Sequence, residues 1–530
     1  VARTRTPQPT AGDALIPGLD RLALHPRTPW ILAAVHFALM AFIGIRYHIV
    51  GDYGVETDFF WSYVPAAKQV LHGSITIEDF RGPLYPIVLA LFQVVFRDHF
   101  LAGILLSTAS ASAAVVVSFL LFRRFVRAEA ALLGSFLMAV GSFFVQYTYT
   151  AGTDMFFTAL SLAGATFLFR NEQRVWRDVT LAMLLFALAY LTRYNGIYAA
   201  AGVPAALLLG NPFGESWKER ARTAGVALGS FLVFIAPWGV HSLMEKGAFF
   251  YSRNYQNIAY EMFAKGIVSW DQFWSTEAQK YQSLSQVVFS DPGRFVSTVV
   301  GNAYEHATSD LGSLLGWQIG VVVLLGFVLM IRERPGRVFG AFFVFALSYF
   351  GILLLVFYGE RFSLFLVPAY LLSVLWAVSQ PRFNRTKLWK TVPLGGVALV
   401  VLVLWTAGRS HAYNRDMIDS GPTELLQIAA WAERNLPAEE RGKVLVARKP
   451  HPGYHLRMEW AYFPYVQTYE ELLTELRKLN ASYLYFGSME AGMRPQFQFL
   501  LDPSRATPEL KPLVYTLSPP AVLYRIEYPK

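Results

Sequence analysis

Twelve apolar runs occupy most of the first 408 residues of this chain, near 29–50, 82–97, 99–122, 129–150, 155–169, 178–192, 195–211, 223–241, 313–331, 338–357, 361–379 and 390–408. A run of about 17–25 apolar residues crosses bilayer hydrocarbon as an α-helix, because in lipid each backbone polar group must be bonded within its own segment. A chain with many such runs is confined to a helical bundle in a membrane. The composition agrees. Only 16% of the 530 residues are charged and 54% are hydrophobic, too few charges to clothe a soluble protein of this size.

The basic residues decide how many runs cross. If all twelve did, Arg123, Arg124 and Arg127, and then Arg170, Arg174 and Arg177, would face outward, against the usual inward bias of positive charge. The run from Pro83 to Phe96 is the short one. Its length gives about 21 Å of helix against about 30 Å of hydrocarbon. With that run half-inserted, the basic tail, 123–127, 170–177, Lys218–Arg222, Arg332–Arg337 and Arg382–Lys390 all fall inside. The sequence therefore predicts a polytopic α-helical membrane protein of eleven spans plus one half-inserted helix. The N-terminus lies inside, and three regions lie outside: 51–98, 242–312 and 409–530.

Residues 1–28, rich in Pro and Thr and carrying Arg3, Arg5, Arg21 and Arg27, read as a disordered cytoplasmic tail. The run that follows is too long for a signal-peptide core and has no clear cleavage site, so it reads as an uncleaved anchor. The net charge of +9 sits in short loops between runs, a topology signal rather than a nucleic-acid surface. The absence of cysteine excludes disulfides, thiolate catalysis and zinc-thiolate sites. The loop 242–312 is aromatic and amphipathic, which predicts helices lying in the interface, and Asp291-Pro292 predicts a helix over about 292–306. In 409–530 the helix patterns GPTELLQIAAWAERNLP and YEELLTELRKLN alternate with the strand-like KVLVAR, SYLYFG and AVLYRIEY. This predicts a small extracytoplasmic α/β domain. It has no glycine-rich phosphate fingerprint.

The polar residues that stand out fall on one side of the predicted membrane. Asp58 opens FFWSYVPAAKQVL, whose Phe59, Tyr63, Val64, Ala67, Val70 and Leu71 recur at helical spacing, a helix laid on the membrane surface. Capping that helix is the simplest role for Asp58. Asp154, in YTAGTDMFFTAL, begins a short run and so lies near hydrocarbon depth, where a carboxylate is costly and usually paired or functional. Thr153 beside it is the better cap. Arg81, Arg193 and Arg361 stand at outward ends of runs, beside Tyr85, Tyr194, Tyr358 and Glu360. One such arginine snorkels; three together suit a bound phosphate through bidentate contacts. His451 and His455 have i, i+4 spacing, but Pro452 and Gly453 argue against a helix and hence against a zinc site. A divalent cation held by Asp58 and Asp154 is compatible with the pattern; no other cofactor is indicated.

The order ETDFFWSYVPAAKQVLHG, FRGPLYP, TAGTDMFF, LTRYNG and FYGERFSLFLVPAYLL, after a basic tail and first span, resembles the GT-C superfamily of polytopic glycosyltransferases. The nearest branch is the protein-mannosyltransferase and aminoarabinose-transferase group, and the resemblance covers roughly 29–380. It implies a sugar donor linked to polyprenyl phosphate, used on the extracytoplasmic side of the cell inner membrane and passed to a lipid, glycan or protein. It also implies that the acid of the first outer loop, Asp58 by its distance from the glycine of VLHG, is catalytic. Asp154 would be the second acid, and Arg193 and Arg361 the basic residues at the tops of spans. The aminoarabinose branch has an acid-Lys-Pro sequence where this chain has Arg81-Gly82-Pro83. Two other classes fit the sequence: a secondary transporter, which would hold its charges near the midplane on broken helices, and a surface-polysaccharide polymerase or ligase working through the 242–312 loop.

Overall fold

In the computed structural model, residues 15–16, 18–170, 175–388 and 392–528 are described. Most of the basic tail (1–14 and 17), Arg174 and Lys390 lie outside them. Each of the twelve apolar runs is helical over most of its described residues. Among the described residues six helices are long and apolar enough to cross a bilayer: Thr28–Tyr47, His99–Phe122, Val175–Thr192, Trp217–Lys246, Glu360–Val378 and the helix that begins at Leu394. Ala128–Ala139 and Ser142–Tyr149 meet at a 64° bend and make a seventh if they count as one span. Three further apolar helices, Leu84–Phe96, Asp154–Leu168 and Arg337–Leu353, are shorter. Length and composition thus give six or seven crossings against the expected eleven. The run 195–211 shows why. It is cut into a 3-10 turn, an α segment containing Pro204, and a π turn.

His99–Phe122 is the central helix, its most apolar stretch 72% buried, whereas Thr28–Tyr47 is 28% buried and mostly faces outward. Small residues let helices close on one another, as expected where lipid offers no hydrophobic drive between them. A side-chain carbon at Gly44 would come 2.7 Å from Ile104, and one at Gly134 would come 2.6 Å from Leu375. The end of the tail is not disordered. Leu19–Leu24 is helical, Leu15 is buried, and the Leu15 amide donates to Glu129 at 3.3 Å.

In the long loop, Pro292–Ser309 is a helix whose first turn is capped by Asp291, which accepts from the Arg294 amide at 2.9 Å. The last apolar helix runs on to Asp419. Beyond it lies a five-stranded sheet: β1 Val444–Ala447, β2 Glu459–Tyr462, β3 Tyr483–Gly487, β4 Leu510–Leu517 and β5 Pro520–Ile526. The order is β2-β1-β3-β5-β4, with β1 parallel to β2 and β3, and β5 antiparallel to β3 and β4. Alternation along the strands feeds two cores. Leu445, Tyr483, Tyr485 and Leu523 pack with Leu425 and Ile428 on one face, while Val446, Leu484, Phe486 and Val522 pack with Leu472 and Leu476 on the other.

Candidate active site

Asp58 stands before the π turn Phe59–Tyr63, which continues as the helix Val64–Leu71. Phe59, Tyr63, Val64 and Ala67 are buried against Tyr85, Leu89 and the top of the central helix. The helix therefore packs on protein rather than lying free on the membrane. Asp58 makes no capping bond. Its carboxylate instead accepts from Arg81 Nη2 at 2.6 Å, and the Arg81 guanidinium lies over the rings of Trp61 (5.2 Å) and Tyr63 (5.6 Å). The Asp58 side chain is 37% exposed, so it lines open space. Burial pushes its pKa upward, but Arg81, Arg361 and Arg193 outweigh that and hold it below the usual carboxylate range.

Gly82 explains how Arg81 reaches this position. A side-chain carbon there would stand 2.0 Å from the backbone oxygen of Leu191, so only glycine lets the strap 78–83 lie on the end of the helix that precedes Arg193. The long loop holds the strap from the other side. Asp79 accepts from Tyr251 (2.7 Å) and Arg253 (3.3 Å), and Asn254 donates to the Phe80 carbonyl (3.2 Å). Gly82→Ala is expected to cost about 1–3 kcal/mol through overpacking against backbone that cannot move aside. A thermal unfolding midpoint equal to that of wild type would show that strap and helix are not in contact.

Asp154 begins the helix Asp154–Leu168 and is buried. Thr153 makes no cap. Its hydroxyl accepts from Arg193 Nη1 at 3.3 Å, and the same nitrogen pairs with Asp154. Arg193 and Arg361 share one aromatic ring, Phe362, their guanidinium carbons 5.2 and 4.8 Å from its centre. The structure thus brings together Asp58, Arg81, Asp154, Arg193 and Arg361 in two acid–arginine pairs and one further arginine.

The other predicted residues lie around this group. Tyr85 is buried edge-on to Tyr63 at 4.9 Å. Tyr194 turns into the bundle, accepting from Trp238 at 3.3 Å. Glu360 accepts from Ser313 at 2.6 Å, and Tyr358 donates to Asp310 at 3.2 Å. Asp310 is buried and also accepts from Tyr370 at 2.7 Å; burial pushes its pKa up to about 6.

Sequence reasoning passed over four residues here. Glu56 is wholly buried, accepting from the amides of Asp52 (2.7 Å) and Ala151 (2.5 Å) and pairing with His48 at 2.6 Å. It fastens the loop that carries Asp58 to the turn that carries Asp154. The hint was an acid and a histidine close to the end of the first apolar run. Asp310 and Asp271 sit in a polar loop, where an acid attracts no notice. Lys449, from the sheet domain, donates to the Thr57 hydroxyl at 2.8 Å, and nothing local foretells that.

His451–Leu456 is a short helix, with Pro452 tolerated in its first turn. Both histidines face backbone: His451 Nε2 donates to the Asp52 carbonyl (3.1 Å) and His455 Nε2 to that of Val50 (2.8 Å). They dock the sheet domain on the first loop. No group of three metal-ligating side chains converges among the described residues, and Asp58 and Asp154 each face a guanidinium.

Residues 81–241 match the family model described as dolichyl-phosphate-mannose-protein mannosyltransferase. No curated protein matches the chain in sequence. Among solved structures, the chain is similar to apo ArnT from Cupriavidus metallidurans, at 14% identity and a TM-score of 0.56, with 94% of this chain and 98% of that one covered. ArnT bound to undecaprenyl phosphate gives a TM-score of 0.55 at 13% identity, with the same coverage. The oligosaccharyltransferase AglB of Archaeoglobus fulgidus, in complex with an inhibitory peptide and a dolichol-phosphate, gives 0.56 at 12% identity, covering 87% of this chain and 70% of that one. This multi-pass membrane protein therefore has the fold of the GT-C superfamily of glycosyltransferases and resembles its protein-mannosyltransferase and ArnT group.

Proposed function

We propose that this protein is an integral-membrane glycosyltransferase. It takes a sugar from a polyprenyl-phosphate donor and transfers it, with inversion, to an extracytoplasmic acceptor. The observation that carries the reading is the convergence of Asp58–Arg81, Asp154–Arg193 and Arg361 at one end of the bundle, with the Asp58 side chain partly exposed. The undecaprenyl phosphate and dolichol-phosphate held by the similar structures support a lipid-phosphate donor.

Asp58 accepts the proton of the acceptor hydroxyl as that oxygen bonds to the anomeric carbon. The bond from that carbon to the phosphate oxygen breaks, its electron pair leaving on the phosphate, where Arg81, Arg193 and Arg361 meet the developing charge. Asp154 positions Arg193. Tyr85, Tyr358 and Glu360 shape the walls. The half-inserted helix Leu84–Phe96 borders the path by which a prenyl chain enters from lipid. This reading goes with eleven crossings, a cytoplasmic N-terminus, and both site and sheet domain outside.

The test is transfer of radiolabelled sugar from a panel of polyprenyl phosphate sugars by purified protein in lipid, with a membrane extract as acceptor. Label transferred from one donor supports the reading. Folded protein that transfers from none, yet moves a solute across sealed vesicles, would make it a transporter.

A further inference from the structure

We propose that the sheet domain contributes a cation to the candidate active site: Lys449 binds the phosphate of the lipid donor together with Arg361. This deepens the transferase reading and rests on it.

Charge balance leads there. Arg81 is paired with Asp58, with Glu78 a further 4.0 Å contact, and Arg193 is paired with Asp154. Arg361 and Lys449 have no ion-pair partner among the described residues. Arg361 rests on the Phe362 ring, and Lys449 reaches only the neutral hydroxyl of Thr57, the residue before Asp58. The other acids nearby are engaged elsewhere. Asp52 accepts from the amides of Gly54 and Val55, and Glu360 accepts from Ser313. Two cations that touch no carboxylate, beside an acid already held by a third, are what an anionic phosphate could bridge.

Lys449 is also held in place. β1 delivers Arg448 to the buried Asp271 of the long loop, at 3.0 and 2.5 Å, just before Lys449. Two residues on, His451 bonds the Asp52 carbonyl and lies 4.5 Å from the Phe60 ring. The ammonium between these anchors is half-buried. Burial, with Arg448 beside it, pulls its pKa down to about 8 against the opposing pull of Asp58, Asp52 and Asp271.

The experiment measures equilibrium binding of undecaprenyl phosphate, with uncharged undecaprenol as control, to the full chain in phosphatidylcholine nanodiscs. Lys449→Met is expected to weaken undecaprenyl phosphate binding about ten- to a hundred-fold, one charge-assisted contact, with undecaprenol unchanged. Lys449→Gln, which can still bond Thr57, loses as much; Lys449→Arg stays near wild type, as does Thr57→Val. Inorganic phosphate that competes in wild type but not in Lys449→Met assigns the contact to phosphate itself; competition alike in both is expected if the contact needs the lipid-borne group. If both neutral variants bind undecaprenyl phosphate like wild type while Arg361→Met does not, Lys449 only docks the domain. The inference then falls and the transferase reading stands. Wild type that binds undecaprenol as tightly as undecaprenyl phosphate overturns both.

Discussion

Asp58→Asn is expected to lower sugar transfer by about 100- to 10,000-fold, the usual contribution of a positioned general base. Asparagine keeps the shape and one acceptor oxygen for Arg81, so the strap around Gly82 has no reason to move. What is lost is the place for the acceptor's proton. Because Asp58 makes no capping bond, the change does not unravel the helix that follows it. Transfer kinetics and circular dichroism on the same preparation separate the two. A folded variant with wild-type kcat would remove Asp58 from the chemistry and turn attention to Asp154.

The second large effect is structural. Asp271 is buried between Arg448 and Arg494, accepting from Arg448 at 3.0 and 2.5 Å and pairing with Arg494 at 2.7 Å. All three side chains are less than 10% exposed. Removing the one acid leaves two buried guanidinium groups unmatched, and such a broken pair costs about 3–5 kcal/mol. Asp271→Ala should therefore lower the thermal midpoint followed by tryptophan fluorescence and free the sheet domain for proteolysis near 436–450. Burial opposes ionisation of Asp271, but the two arginines outweigh it and hold its pKa below the ordinary value. A depressed acid contributes fully above its unfolded pKa, about 3.9, and the contribution fades as pH falls through the lower folded value. The gap between wild type and Asp271→Ala should thus be constant from about pH 5 to 8 and close only below about pH 4. An equal midpoint at pH 7 would show the clamp to be idle.

What the sequence disclosed follows from range. Apolar runs announce helices because lipid forces each to satisfy itself, and 3.6-residue and two-residue periods marked the helix and strands of the sheet domain. β2 (EWAY) was too short to show alternation, and Pro512 disguised β4. Asp58, Arg81, Asp154 and Arg193 were visible as residue types at telling places. Which acid met which arginine was not, since 23 and 39 residues separate the partners. Lys449 lies 392 residues from Thr57, a contact made only once the chain has closed on itself. The expected caps failed for a related reason: Asp58 and Thr153 were judged on local propensity, and arginines from elsewhere claimed both.

The pairing of Asp58 with Arg81 has a kinetic consequence. A carboxylate engaged by a guanidinium, and depressed by two more, is a feeble base toward any hydroxyl that wanders in, water included. A donor phosphate that draws those arginines to itself would restore the acid's basicity at the moment a sugar is present to be attacked. Proton abstraction would then wait on the donor, whichever substrate binds first.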